Sequence, residues 1–174
     1  MDQVEPRTDI IFIRHAKTKP IAVGQEDFDR GLKHPRARKD IRGVSETFVE
    51  QYSTLKSNVL CSPSKRTRET LDLLVNSGLM YADRVRFPEG LYLASADEIE
   101  AIMVNHFLKH RPKRLFIIGH NPGLAYIASR IPLLKFDHLP TSGLVYITHP
   151  QDANSWDWSE VKLKCFLYPK LLRS

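Results

Sequence analysis

Two arginines and two histidines are the side chains of this sequence best suited to chemistry. Arg14 and His15 directly follow a short apolar run, Arg66 follows a second run, and His120 follows a third. A set of cations without a carboxylate is a poor metal site. The arginine guanidinium can bind two phosphate oxygens at once. Because a like charge disfavours the imidazolium, a histidine beside an arginine tends to stay neutral and nucleophilic near pH 7. The set indicates a phosphate site that could form a covalent phosphohistidine.

Short apolar runs predict the strands that carry these residues. The runs Ile10–Ile13, Val59–Cys61 and Leu115–Ile118 are too short for helices and are typical of buried strands. Residues 144–147 and 161–167 read as antiparallel additions at a sheet edge.

Helical periods and capping signals lie between the predicted strands. An apolar stripe predicts a helix over about residues 35–55, and a second helix is expected from the N-cap Ser62 to Gly78. Ser95 opens a capping box, and Asn121 with the following proline is read as a further cap. Strands alternating with helices favour an open α/β sheet, in which ligands bind at the carboxyl ends of the strands. The four candidate residues are therefore expected to converge there.

Five short motifs stand in a fixed order along the chain. They are Arg-His-Ala-Lys at 14–17, Asp-x-x-Arg-x-Leu at 27–32, Ser-Pro-x-x-Arg-x-x-x-Thr at 62–70, Gly-His-Asn-Pro at 119–122 and Pro-Thr-Ser-Gly at 140–143. This set resembles the histidine phosphatase superfamily, and within it the small SixA-like phosphohistidine phosphatases, over about residues 9–148. The resemblance implies a phosphoglycerate mutase-like fold, a three-layer α/β sandwich with a mostly parallel sheet and helices on both faces. One domain is expected to span residues 1–174.

The resemblance also implies a role for the motif residues. His15 is expected to be the phosphorylated nucleophile, with Arg14, Arg66 and His120 around the phosphate. Arg68 competes with Arg66 for that role, but the spacing from Ser62 favours Arg66. No metal or other cofactor is expected. Further substrate contacts are expected from Lys17, Ser62, Asn121 and Ser142.

The general acid is the least defined part of the expected site. Larger relatives carry a Glu or Asp before the third helix, and Glu89 is the best match here. Asp97 and Glu98 follow it, although both also suit the first turn of a helix. An alkyl phosphate needs a positioned acid, whereas a phosphohistidine leaves as an imidazole with little change in energy. The expected substrate is therefore phosphohistidine on a protein, such as a histidine phosphotransfer domain. A small-molecule phosphomonoesterase, a silent phosphate-binding adaptor and, more weakly, a mutase are the alternatives.

Composition narrows the class of protein and of partner. The chain has 174 residues, 42% of them hydrophobic, which fits one soluble domain and excludes disorder, collagen and coiled coil. Its two cysteines do not form a disulfide framework. No apolar run is long enough to span a bilayer, and no signal peptide is evident, so a cytoplasmic protein without membrane contact is expected. A monomer or weak dimer is expected.

The formal net charge of +6 calls for an acidic partner. The densest basic stretch, from Arg30 to Arg42, is either a solvated helix face or a docking surface for a phosphoprotein. No aromatic residues interleave with it, so nucleic acid is not expected. His106 and His110 could chelate a metal but fit core packing and a helix C-terminus better. Trp156 and Trp158 are predicted in a strand that covers the sheet edge.

Overall fold

A six-stranded sheet forms the centre of the computed structural model, which describes residues 5–132 and 134–173. Its strands are β1 (Arg7–Arg14), β2 (Lys56–Cys61), β3 (Tyr81–Arg86), β4 (Arg114–Gly119), β5 (Leu144–Pro150) and β6 (Lys162–Leu167). They are ordered β3-β2-β4-β1-β5-β6. The first four in this order pair in parallel, whereas β5 is antiparallel to both β1 and β6. The predicted antiparallel addition of 144–147 and 161–167 is confirmed.

Helices cover both faces of this sheet. They are α1 (Arg36–Gln51), α2 (Lys65–Asn76), α3 (Ala96–His110) and α4 (Gly123–Ala128). Because side chains alternate along a strand, β1 contributes residues to two hydrophobic cores, one on each face of the sheet. Ile10 and Phe12 pack in the core with α3 and α4, and Ile11 and Ile13 pack in the core with α1 and α2. The predicted three-layer α/β sandwich is confirmed. Among the described residues no helix is both long and apolar enough to cross a membrane.

Three predicted helix boundaries differ from the structure. The first helix ends at Gln51 rather than near residue 55. The second begins at Lys65 with Ser64 as its N-cap, not Ser62, because the Ser62 hydroxyl contacts His120 instead. The helix after β4 has Pro122 at its N-cap position and not Asn121, whose amide donates to the Leu139 carbonyl. The Ser95 capping box is confirmed.

The tryptophans do not lie in a strand, so that prediction was wrong. Trp158 opens the 3-10 turn Trp158–Glu160 and donates from its indole to Glu100 at 2.8 Å. Trp156 lies before this turn and stacks on His149 of β5, with 4.2 Å between ring centroids. Alternating aromatic residues also suit a loop that packs its rings on a buried surface, and the sequence pattern does not separate the two cases.

Candidate active site

The carboxyl ends of β1, β2 and β4 bring the candidate residues together. The His15 amide, one residue beyond β1, donates to the Gly119 carbonyl at 3.1 Å. The Ser62 amide, one residue beyond β2, donates to the Ile118 carbonyl at 2.9 Å. These bonds place the rings of His15 and His120 with their centroids 5.4 Å apart.

His15 is a neutral base, and its tautomer is set by its own backbone. The ring is 5% exposed, and Nδ1 lies 2.8 Å from the Ala16 carbonyl, which can only accept, so Nδ1 carries the proton. The lone pair is therefore on Nε2. Burial, and then the charges of Arg14 and Arg66, lower the pKa of His15 to about 3, against the opposing effect of the backbone bond. The ring is thus an uncharged nucleophile at neutral pH.

His120 is oriented by Ser62. Its Nε2 lies 2.7 Å from the hydroxyl of the fully buried Ser62, and its Nδ1 is buried without a hydrogen-bond partner among the described residues. Burial, followed by the Arg66 charge, lowers the pKa of His120 to about 3. If the Ser62 hydroxyl donates to Nε2, the proton is on Nδ1 and remains available for a ligand. Ser62 thus orients His120, and the substrate contact expected of Ser62 stays a prediction.

Arg66 is fixed by Asp27. It is 2% exposed and donates from Nη1 to the Asp27 carbonyl at 2.7 Å and from Nη2 to the Asp27 carboxylate at 2.9 Å. The Tyr92 hydroxyl donates to the same carboxylate at 2.9 Å, and Arg30 pairs with it at 3.1 Å. Burial raises the pKa of Asp27, but the Tyr92 bond and the two arginines outweigh it and hold the pKa below its usual range. Asp27 is therefore an ionised anchor for cations and a poor proton donor.

Arg14 and Asn121 share partners on the loop before β5. Arg14 donates to the Leu139 carbonyl at 2.9 Å and lies 3.0 Å from Nε2 of His138. Asn121 donates to the same carbonyl at 2.9 Å and lies 3.1 Å from Nδ1 of His138. Burial, and then the neighbouring charges of Arg30 and Arg66, lower the pKa of Arg14. The arginines repel one another, and a bound anion relieves that repulsion.

Unpaired buried polar atoms concentrate at this site. Ser142 is fully buried, with φ of 60° and its amide donating to the His15 carbonyl at 3.2 Å. Seven buried side-chain atoms of the described residues have no hydrogen-bond partner, and six belong to residues around the site. The six are Arg14 Nε, Arg30 Nε, Arg66 Nε, His120 Nδ1, Asn121 Oδ1 and Ser142 Oγ. Buried polar groups rarely stay unpaired, so this set fits a polar ligand, and its donors suit an oxyanion.

Two expected residues stand apart from this cluster. Lys17 and Glu89 are exposed, and neither side chain forms a hydrogen bond or ion pair within the described part of the chain. Glu89 opens the 3-10 turn Glu89–Leu91, and its carbonyl accepts from the Tyr92 amide at 3.1 Å. The Tyr92 ring lies edge-on to His120, with 5.6 Å between centroids. Glu89 is therefore close to the site in sequence, and its role as an acid stays a prediction.

The other candidates for these roles are engaged elsewhere. Glu98 closes the capping box with Ser95, and Asp97 pairs with Arg130. Arg68 is exposed, donates to the Pro63 carbonyl at 2.8 Å and stacks on Phe87 at 3.8 Å. Of the two arginines on α2, Arg66 is the one that faces the histidines.

Sequence reasoning missed four residues that build the site. Asp27 and Arg30 belong to the Asp-x-x-Arg-x-Leu motif, to which the sequence analysis gave no role. The opposite charges three residues apart in this motif could have indicated an ion pair. Thr70 ends the Ser-Pro block and accepts from the Ala16 amide at 3.0 Å. Tyr92 follows a 3-10 turn, and nothing in its sequence context marks it. No group of three or more His, Cys, Asp or Glu side chains suited to a metal occurs among the described residues.

Solved structures of phosphatases share this fold. A protein described as phosphohistidine phosphatase SixA from Agrobacterium tumefaciens is 20% identical, with a TM-score of 0.73 over 93% of this chain and 99% of that one. The protein histidine phosphatase SixA complexed with tungstate is 17% identical, with a TM-score of 0.75 over 95% and 99%. An α-ribazole-5′-P phosphatase from Escherichia coli is 11% identical, with a TM-score of 0.62 over 90% and 94%.

No protein-family model and no curated protein sequence matches this chain. The structural likeness confirms the phosphoglycerate mutase-like fold expected from the sequence motifs.

Proposed function

We propose that this protein is a phosphatase that works through a phosphohistidine on His15. The observation that carries the proposal is a neutral histidine, with its lone pair on Nε2, set among arginines whose buried Nε atoms have no partner. Such a site combines a nucleophile with donors for the oxygens of a transferring phosphoryl group. SixA structures with the same fold, one of them complexed with tungstate, support this assignment.

The proposed reaction has two steps. The lone pair on Nε2 of His15 forms a bond to phosphorus while the bond to the leaving group breaks, and the leaving group keeps that electron pair. Arg14, Arg66 and His120 donate to the phosphoryl oxygens during this transfer. Water then attacks the phosphorus of phospho-His15, releasing inorganic phosphate and restoring the neutral ring. None of these steps uses a metal.

Phosphohistidine on a protein is the substrate that we propose. Asp27 is held ionised by Tyr92 and Arg66, so it cannot protonate a leaving group. Glu89 is exposed and makes no side-chain contact with the described site. A leaving imidazole needs little help from an acid, whereas an alkoxide needs a positioned one. A site of this kind favours phosphoramidates over sugar phosphates.

Phosphorus-32 labelling tests the chemistry directly. The protein is incubated with labelled phosphoramidate in EDTA and quenched in alkali, and we expect protein-bound label that acid removes. His15→Ala should carry no label, whereas His110→Ala, a histidine variant remote from the site, should label normally. Label on His15→Ala would overturn the mechanism. Absence of both labelling and phosphate release in the wild type would instead favour a phosphate-binding adaptor.

A small-molecule phosphomonoesterase is the second candidate, because Glu89 lies in the turn that leads to Tyr92 beside His120. Glu89→Gln separates the two functions. A loss of activity confined to alkyl phosphates, with sugar phosphates turned over faster than phosphohistidine by the wild type, would support the phosphomonoesterase. Equal turnover of phosphohistidine by wild type and Glu89→Gln is expected for the protein phosphatase.

A further inference from the structure

A groove between the edge strand β3 and the C-terminal half of α3 collects positive charge outside the His15 site. It has a volume of about 550 Å³, and Arg86, His106, Lys109 and His110 contribute to its lining. None of the described residues that line it is acidic. Arg86 and Lys109 are the charged residues of this lining, and a concave surface with cations and no carboxylate focuses a positive potential.

Three exposed cations lie in or beside this groove: Arg86 and Lys109 in its lining, and Arg84 near the two histidines. Arg84 and Arg86 on β3 and Lys109 on α3 are exposed, and none forms a salt bridge with a carboxylate of the described residues. Their charge is therefore available to a partner.

The basic stretch on α1 is different. Arg36 pairs with Asp40 at 2.8 Å, and Arg42 pairs with Glu46 at 3.0 Å. Arg30, at the start of the stretch, pairs with Asp27. Three of the arginines between 30 and 42 thus already have a carboxylate partner, whereas Arg84, Arg86 and Lys109 have none among the described residues.

The two groove histidines lie close to each other and to these cations. Their ring centroids are 4.5 Å apart, and His106 lies 2.9 Å from the Asn58 amide. Burial, and then the neighbouring cations, lower the pKa of His106 to about 4. A divalent metal would meet Arg84, Arg86 and Lys109 with no carboxylate ligand, so an anion suits this groove better.

The groove also leads toward the active site. Pro88 contributes to its lining, and the Pro88 carbonyl accepts from the Leu91 amide in the turn before Tyr92. Tyr92 in turn contacts His120 and Asp27. Through Pro88, the groove is therefore connected to the turn that carries Tyr92 of the phosphate site.

We propose that this groove docks an extended acidic segment of the protein that carries the phosphohistidine. The inference rests on the proposed function for the identity of the partner. Within the described residues β3 pairs only with β2, so its outer edge can add an extended chain. Apart from histidine, no aromatic ring contributes to the described lining. Single-stranded nucleic acids bind by stacking their bases on aromatic side chains, so they suit this groove less well than an acidic peptide does.

Fluorescence anisotropy with a labelled peptide of alternating glutamate and valine tests the docking groove. At about 50 mM salt, charge reversal at Arg84, Arg86 and Lys109 is expected to weaken binding about tenfold or more. The matched control reverses Arg38, Lys39 and Arg42 on α1, which changes the net charge equally. It should bind within about threefold of the wild type. Circular dichroism and thermal unfolding confirm that both variants are folded.

Three results would overturn the proposal: loss of binding in the α1 variant instead of the groove variant, equal loss in both, or tighter binding of a labelled DNA oligonucleotide than of the peptide. Peptide binding is also measured with His15→Ala, which keeps the groove intact. Normal binding by that variant shows that docking stands apart from catalysis. Failure of phosphoryl transfer and failure of docking are therefore separate outcomes.

Discussion

Arg66 and Arg68 stand two residues apart on α2 and have opposite surroundings. Arg66 is buried and uses two of its guanidinium nitrogens on Asp27, leaving Nε for a ligand. Lysine cannot reproduce this fork, so Arg66→Lys is expected to lower kcat/KM about 100-fold. Arg68→Lys is the matched control, and steady-state hydrolysis of phosphoramidate is the measurement. A larger loss in Arg68→Lys would show that the wrong arginine has been assigned to the phosphate.

Spacing from Ser62 was enough to favour Arg66 over Arg68 from sequence, because two residues on a helix point in different directions. The same reasoning could not find Asp27, which reaches Arg66 across 39 positions of the chain. It also did not find the contact of Ser62 with His120, and the role of Ser62 in substrate binding stays a prediction. A serine before proline reads as a cap, and only the fold shows that its hydroxyl contacts His120.

Thr70 links helix α2 to Ala16, two residues beyond β1. Thr70 Oγ1 accepts from the Ala16 amide at 3.0 Å and donates to the Arg66 carbonyl at 2.7 Å. Thr70→Val leaves a buried amide without a partner, which is expected to cost about 1–3 kcal/mol of unfolding free energy. Urea unfolding measures this loss. Thr47→Val removes a bond from a half-buried threonine on α1 and should cost clearly less. Equal losses would mean that the Ala16 contact adds nothing.

Elements with a strong apolar pattern were predictable, and charged or very short ones were not. β1 and β4 are buried on both faces and appear in the sequence as apolar runs. β3 has the sequence Tyr-Ala-Asp-Arg-Val-Arg and is largely exposed at the sheet edge, so it leaves no such run. The 3-10 turns at Asp27–Asp29 and Glu89–Leu91 are too short for any period, yet they precede Arg30 and Tyr92.

Across the whole molecule, the net charge of +6 divides into three parts. Arg14, Arg30 and Arg66 converge on the phosphate site, where the Asp27 carboxylate pairs with Arg30 and Arg66. Other arginines, such as Arg114 with Asp9, form ion pairs that stabilise the fold. A third group, which includes Arg84 and Arg86 of β3, is exposed to solvent. The net charge therefore combines residues with three different roles: phosphate binding, stabilisation of the fold, and the proposed docking.

The buried neutral histidines make the stability of the whole molecule depend on pH. The unfolded chain protonates its histidines near pH 6.5, whereas His15 and His120 stay neutral in the folded state down to about pH 3. Unfolding therefore takes up protons between these values, and the free energy of unfolding falls as the pH decreases. Each such histidine contributes about 1.4 kcal/mol per pH unit once its unfolded form is fully protonated.

Urea unfolding between pH 5 and 7 tests this dependence, since carboxylates stay largely ionised there. His15→Gln removes one of these groups and is expected to flatten the slope, so that the variant loses less unfolding free energy than the wild type as the pH falls. His34→Gln replaces an exposed histidine in the same way and is the matched control for the substitution itself. Parallel curves for wild type and His15→Gln would show that His15 protonates equally in both states. The nucleophile would then owe its neutral form to pH alone and not to its burial among arginines.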